Sequence, residues 1–145
     1  MAFDRHGTGL TLLRILLGLF FLFQGLGNVR WLVDSSVLSQ QLTTWERTVG
    51  AGSISAQYLH RVAIPYAGVF ARLVPLGELS VGLAMIVGLW TPFFAFIAFV
   101  MVLNVHIASG AIFTYGFLRN PYGLPMLGGT LALLMGGAHL PWSIR

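Results

Sequence analysis

The chain is 145 residues long, 57% hydrophobic and 8% charged, with a mean hydropathy of +0.83. A water-soluble domain carries roughly a quarter charged residues, so this composition excludes a polar globule and points to a chain dissolved in lipid. The basic excess is entirely arginine, scattered singly without the run that nucleic acid would require, and the absence of cysteine excludes disulfides, thiolate metal sites and thiol catalysis.

At roughly 20 residues per spanning helix, residues 1–145 form a single transmembrane domain of four spans and one substantial connection. The predicted fold is all-α, an integral membrane four-helix bundle with an amphipathic interfacial segment between helices 1 and 2. The first span covers about 9–32. It follows a short polar start and is interrupted by Arg14, and the residues after its apolar run, Gln24-Gly25-Leu26-Gly27-Asn28, make a poor signal-cleavage site, so it reads as a retained helix. The remaining spans cover about 66–89, 91–113 and 122–140. Helix is required, because an isolated strand would leave its backbone groups unpaired in lipid. Trp31, Trp90, Tyr115, Tyr122 and Trp142 lie at span ends, where amphipathic rings settle at the interface.

Leu89-Trp90-Thr91-Pro92 joins spans two and three and makes them antiparallel neighbours, with Pro92 suited to a first helical turn. The connection 33–65 is the wet part of the chain. Val37, Leu38, Leu42, Trp45 and Val49 recur there at helical spacing, which predicts a helix lying in the interface or capping the bundle. Gly50, Gly52 and Ser53 end it, and a second amphipathic piece runs from about Ala56 to Ile64. This connection either shields the bundle end or forms a docking or substrate-entry surface. In span four, Gly128-Gly129 and Gly136-Gly137 recur on one face and predict tight helix packing. Arg5, Arg14 and Arg145 lie on one side, and Arg30, Arg47, Arg61, Arg72 and Arg119 on the other. Arg47 and Arg61 fall in the amphipathic connection beside Glu46, so the charge rule leaves orientation open.

An ionisable residue inside a membrane is a functional hypothesis by default. Glu78 stands near the middle of span two. At about 1.5 Å per residue from the side where span one begins, Glu78 lies about 15 Å deep, Asn104 about 20 Å, His106 and Gln24 about 22 Å, and Arg14 about 8 Å. These depths predict a polar cluster of Arg14, Gln24, Arg72, Glu78, Asn104 and His106 between spans one, two and three. Such a cluster suits the polar head of an amphipathic molecule such as a quinone, with Glu78 or His106 handling protons. The same residues can instead hold helices in register. His106 and His139 lie at different depths, which argues against a bis-histidine haem within one chain. No metal site, phosphate loop or nucleophile–base arrangement is evident.

Leu13-Arg14-Ile15-Leu16-Leu17-Gly18 followed by Gln24-Gly25 resembles the opening Arg-x-x-x-Gly…Gly pattern of the DoxX/DoxD family of small membrane proteins. Leu76-Gly77-Glu78-Leu79-Ser80-Val81-Gly82, preceded by Pro65 and followed by Gly88-Leu89-Trp90-Thr91, is similar to its Gly-Glu-x-x-x-Gly segment leading to Gly-Leu-x-Thr. Leu103-Asn104, Gly110 and Asn120-Pro121 resemble later positions of the DoxD-like branch. The resemblance covers nearly the whole chain and implies a four-helix membrane bundle. It carries over to Arg14, Glu78 and Asn104; Arg72 and His106 come from depth alone.

DoxD members are the membrane subunit of thiosulfate:quinone oxidoreductase and work with a DoxA partner. The resemblance therefore implies a subunit of a membrane redox or electron-transfer complex in the prokaryotic cytoplasmic (inner) membrane. Quinone and lipid would be its ligands, no cofactor would be covalently bound, and other subunits would supply the redox centre. The alternative is a non-catalytic accessory subunit packed at the periphery of a larger membrane complex. A transporter is disfavoured by the lack of an inverted repeat. A quinone site requires a cavity reaching Glu78, open to lipid and lined by Arg14 or Asn104; an accessory role requires Glu78 sealed by its partners and apolar outer faces covered by other chains.

Overall fold

The computed structural model describes residues 4–112 and 114–144. The expected end of span three at Phe113 and the terminal charge of Arg145 lie outside the described residues. All regular structure among them is helical: α1 (Arg5–Gly27), α2 (Ser36–Thr48), α3 (Ile54–Tyr58), α4 (Ala67–Val87), α5 (Thr91–Ala108), α6 (Tyr115–Arg119) and α7 (Leu124–Gly136). A 3-10 turn, Val29–Leu32, follows α1, and a π-helical turn, Leu59–Ala63, extends α3.

Three helices, α1, α4 and α5, are long and apolar enough to cross a membrane. With 23, 21 and 18 residues, they reach about 27–35 Å at 1.5 Å per residue. The expected fourth span is where the structure differs. α7 has 13 residues, about 20 Å of helix against a hydrocarbon core of about 30 Å. Apolar composition continues past Gly136, but the backbone turns at Gly137, and His139 and Trp142 adopt positive φ. Hydropathy registers the side chains and is blind to that turn.

α1 packs on α4, α4 on α5, α5 on α7, and α7 back on α1. The centre is filled by Leu17, Phe21, Val81, Met85, Ala98, Val102 and Leu133. The outer faces carry Leu12, Leu16 and Phe23 of α1, Leu73, Leu76 and Leu83 of α4, and Phe93, Phe96 and Val100 of α5, all exposed. So continuous an apolar exterior suits lipid contact. The closest backbone approach is between α1 and α4. A β-carbon at Gly82 would sit 2.5 Å from the Leu22 amide nitrogen, one at Gly18 2.9 Å from that of Ile86, and one at Gly25 2.9 Å from that of Leu79. Glycine is thus required by space on both helices. In α7 the glycine pairs do mark close packing: a β-carbon would sit 3.2 Å from Leu17 at Gly129, 3.1 Å from Leu10 at Gly136 and 2.8 Å from Thr91 at Gly137, whereas Gly128 faces open space.

The connection 33–65 folds back over one end. Leu38 and Leu42 of α2 are buried against Leu59, Ala63, Ala67, Ala71 and Ala108, with Trp31, Trp45 and Tyr58 alongside. The predicted amphipathic helix is therefore present, and its apolar face lies on the start of α4 and the Leu59–Ala63 turn, while α3 packs on α5.

Candidate functional site

α2 does not close completely onto the helices beneath it. A cavity of about 430 Å³ remains between them, with Glu78 of α4, Gln24 of α1 and Asn104 of α5 in its wall. Phe20, Trp31, Trp45 and Phe70 supply aromatic surface. A volume of this order is that of a small-molecule site, and mostly apolar walls with a few convergent polar groups are what such sites present.

Three layers of sequence build the polar part. Glu78 is 3% exposed and follows Pro75, a buried proline within α4 that cannot donate to Ala71. Asn28, the residue that ends α1, donates from Nδ2 to Glu78 Oε2 at 2.9 Å. Glu78 has no ion-pair partner among the described residues, whose one ion pair joins His60 to Glu46 at 3.4 Å. Tyr58 donates its hydroxyl proton to Asn104 Oδ1, which leaves the Asn104 amide N–H groups to serve a ligand. Burial pushes the Tyr58 phenol above its ordinary value, so it stays a donor.

The polar residues expected to cluster are divided by the structure. Gln24, Glu78 and Asn104 line one cavity together. His106 is 2% exposed and lies behind it: Nε2 donates to the Tyr122 carbonyl at 2.9 Å, and the ring packs edge-on against Phe117 with centroids 5.0 Å apart. It therefore ties α5 to the chain entering α7. Arg72 is exposed and donates to its own helix at the Gly68 carbonyl, 3.1 Å away. Arg14 is fully buried at the other end of the molecule, where it donates to Ser143 Oγ and to the Trp142 carbonyl. A depth count ranks residues along one axis but does not say towards which neighbour a side chain turns, and Arg14 turns towards the returning carboxyl-terminal segment.

Asn28, Gln41, Trp45 and Tyr58 are site residues that sequence reasoning missed. Asn28 had a signal: it follows Gln24 by four residues and shares its face. Gln41 had a weaker one, a polar residue between Leu38 and Leu42 on the apolar stripe. Tyr58 had none, since its position depends on how the connection folds back.

The family model for DoxX matches residues 9–111. The chain belongs to the DoxX family. No curated protein and no solved structure matches it. The matched stretch runs from the first turn of α1 to just beyond α5 and contains Gln24, Asn28, Gln41, Tyr58, Glu78 and Asn104. DoxX membership and three long apolar helices make the chain an integral membrane protein.

Proposed function

We propose that this DoxX chain is the membrane subunit of a redox or electron-transfer complex and that the cavity under α2 receives the head of a quinone. The observation that carries this reading is the conjunction of an unpaired carboxyl, free amide donors and aromatic walls around one space. A quinone ring offers two carbonyl oxygens and a flat π-face. The amides of Gln24, Asn28 and Asn104 would donate to the carbonyls, and Trp31, Trp45 and Phe70 would flank the ring. Glu78 would hand a proton to a carbonyl oxygen as electrons arrive from a partner's redox centre. Asn28 would hold the carboxyl in position throughout. The chain has no cysteine to ligate an iron–sulfur cluster, which agrees with a partner that supplies the redox centre. The bundle would sit in a prokaryotic cytoplasmic membrane, with α7 as its incomplete fourth member.

Glu78 is 3% exposed and bonded to Asn28, as an accessory subunit would also have it. The cavity reaching Glu78, with Asn104 in its wall, favours the ligand-binding reading. The test is quinone titration of the nanodisc-embedded chain with tryptophan fluorescence as the readout. Trp31 and Trp45 line the cavity, whereas Trp90 and Trp142 lie at the opposite end. A short-chain quinone should quench the emission saturably, Trp45→Phe should remove much of the quenching, and Glu78→Gln should weaken binding up to about tenfold, the value of one hydrogen bond donated by the carboxyl O–H. Linear, unsaturable quenching would reject the quinone reading and leave the accessory role.

A further inference from the structure

Arg14 carries its charge into the protein interior without a counter-ion among the described residues. The side chain is 0% exposed, its Nη2 donates to the Trp142 carbonyl at 2.9 Å, its Nη1 donates to Ser143 Oγ, and its Nε is buried with no acceptor among those residues. The chain has four acidic residues, and every one is engaged elsewhere. Asp4 accepts from the His6 amide, Asp34 from Ser36, Glu46 faces His60, and Glu78 accepts from Asn28. Neutral acceptors satisfy two of the nitrogens but neutralise nothing, and a buried charge left uncompensated is strongly destabilising.

A second cavity, about 200 Å³, lies next to this guanidinium. Gly88, Thr91 and Ser143 are among its walls. Two of these touch Arg14 directly: Ser143 accepts its hydrogen bond, and a β-carbon at Gly88 would collide with Nη1. Gly88 has φ +76°, so a glycine is needed there for conformation as well as for space. The Ser143 hydroxyl uses a lone pair to accept from Arg14, which frees its own proton to be donated elsewhere. The start of α5 contributes Thr91 and Pro92 to the same cavity and brings the positive end of an 18-residue helix to it. Trp90 and Trp142 are exposed beside it, where indole rings mark the depth of lipid head groups.

We propose that this cavity is an anion site for a phosphate group, bound through the Ser143 hydroxyl with Arg14 as the counter-charge one hydrogen bond behind. The phosphate comes either from the head group of an anionic phospholipid or from solution, and the shared chemistry is an oxyanion that accepts from Ser143. The site lies apart from the cavity under α2 and is independent of the quinone reading.

The test uses the full chain in phosphatidylcholine nanodiscs, with and without phosphatidylglycerol, and separately with inorganic phosphate added to the lipid-neutral discs. Melting temperature and native mass spectrometry are read together. Retained phosphatidylglycerol with a raised melting temperature assigns the lipid as the source. A saturable rise with inorganic phosphate alone assigns the free anion. Ser143→Ala should weaken the effective ligand about tenfold or more, as loss of a charge-assisted hydrogen bond does, while Arg119→Gln, which removes a surface charge, should leave it unchanged. The proposal fails if neither ligand binds the wild-type chain, if Ser143→Ala binds like wild type, or if Arg119→Gln weakens binding as much as Ser143→Ala. Because Ser143→Ala keeps Arg14 and its bond to the Trp142 carbonyl and removes only the Ser143 acceptor, the outcome does not depend on whether Arg14→Gln folds.

Discussion

Glu78 and Asn28 illustrate how far one residue can be read from its neighbours in sequence. A lone acid in an apolar helix stands out in any hydropathy profile, and Glu78 does line a cavity. Its partner is 50 positions away, and no local pattern connects the two. Arg14 was legible as an intramembrane charge, but its direction was not, because residues of positive φ turn the carboxyl-terminal segment back on it. At the same scale, Asp34 makes a prediction about pH. The hydroxyl and amide of Ser36 donate to its carboxylate and hold it below the usual value of 3.8, with Arg30 adding a smaller favourable charge. A carboxyl with a depressed folded value contributes stability that is present above the unfolded value and lost as pH falls through the folded one. The first turn of α2 should therefore loosen below about pH 4, seen as faster amide exchange at residues 36–39, and Asp34→Asn should abolish that pH dependence. Unchanged exchange on acidification would show that Asp34 does not hold the turn.

Among the elements, α2 was the most legible and the α1–α4 contact the least. The period of Leu38, Leu42 and Trp45 specified an amphipathic helix, and burial of that stripe is what the structure shows. Glycine counts, by contrast, flagged several helices alike. Spatial apposition selects Gly18, Gly25 and Gly82, because there the opposing atoms are backbone and have no room to yield. Gly82→Leu should accordingly destabilise the chain by at least about 3 kcal/mol, the upper range for overpacking a tight contact. Gly128→Ala should be neutral or stabilising by up to about 1 kcal/mol, since it relieves a helix glycine into open space. Thermal unfolding in one detergent compares the two directly, and similar losses at both positions would refute the close-approach account.

For the whole molecule, composition settled the solvent and periodicity the helices, yet neither revealed that one of the four apolar stretches is short. Hydropathy averaged across a turn still reads as a span. The consequence concerns the bilayer more than the protein. With α1 and α4 matching a normal hydrocarbon thickness and α7 falling about 10 Å short of it, the belt of lipid around this protein cannot be uniform in height. Acyl chains beside α7 must shorten or tilt, at a fraction of a kcal/mol per Å of mismatch. A lipid environment with longer acyl chains should therefore lower the melting temperature progressively, and one with shorter chains should raise it. A second transmembrane protein lying against α7 would remove the thinned annulus altogether, so bilayer elasticity would itself favour assembly on that side.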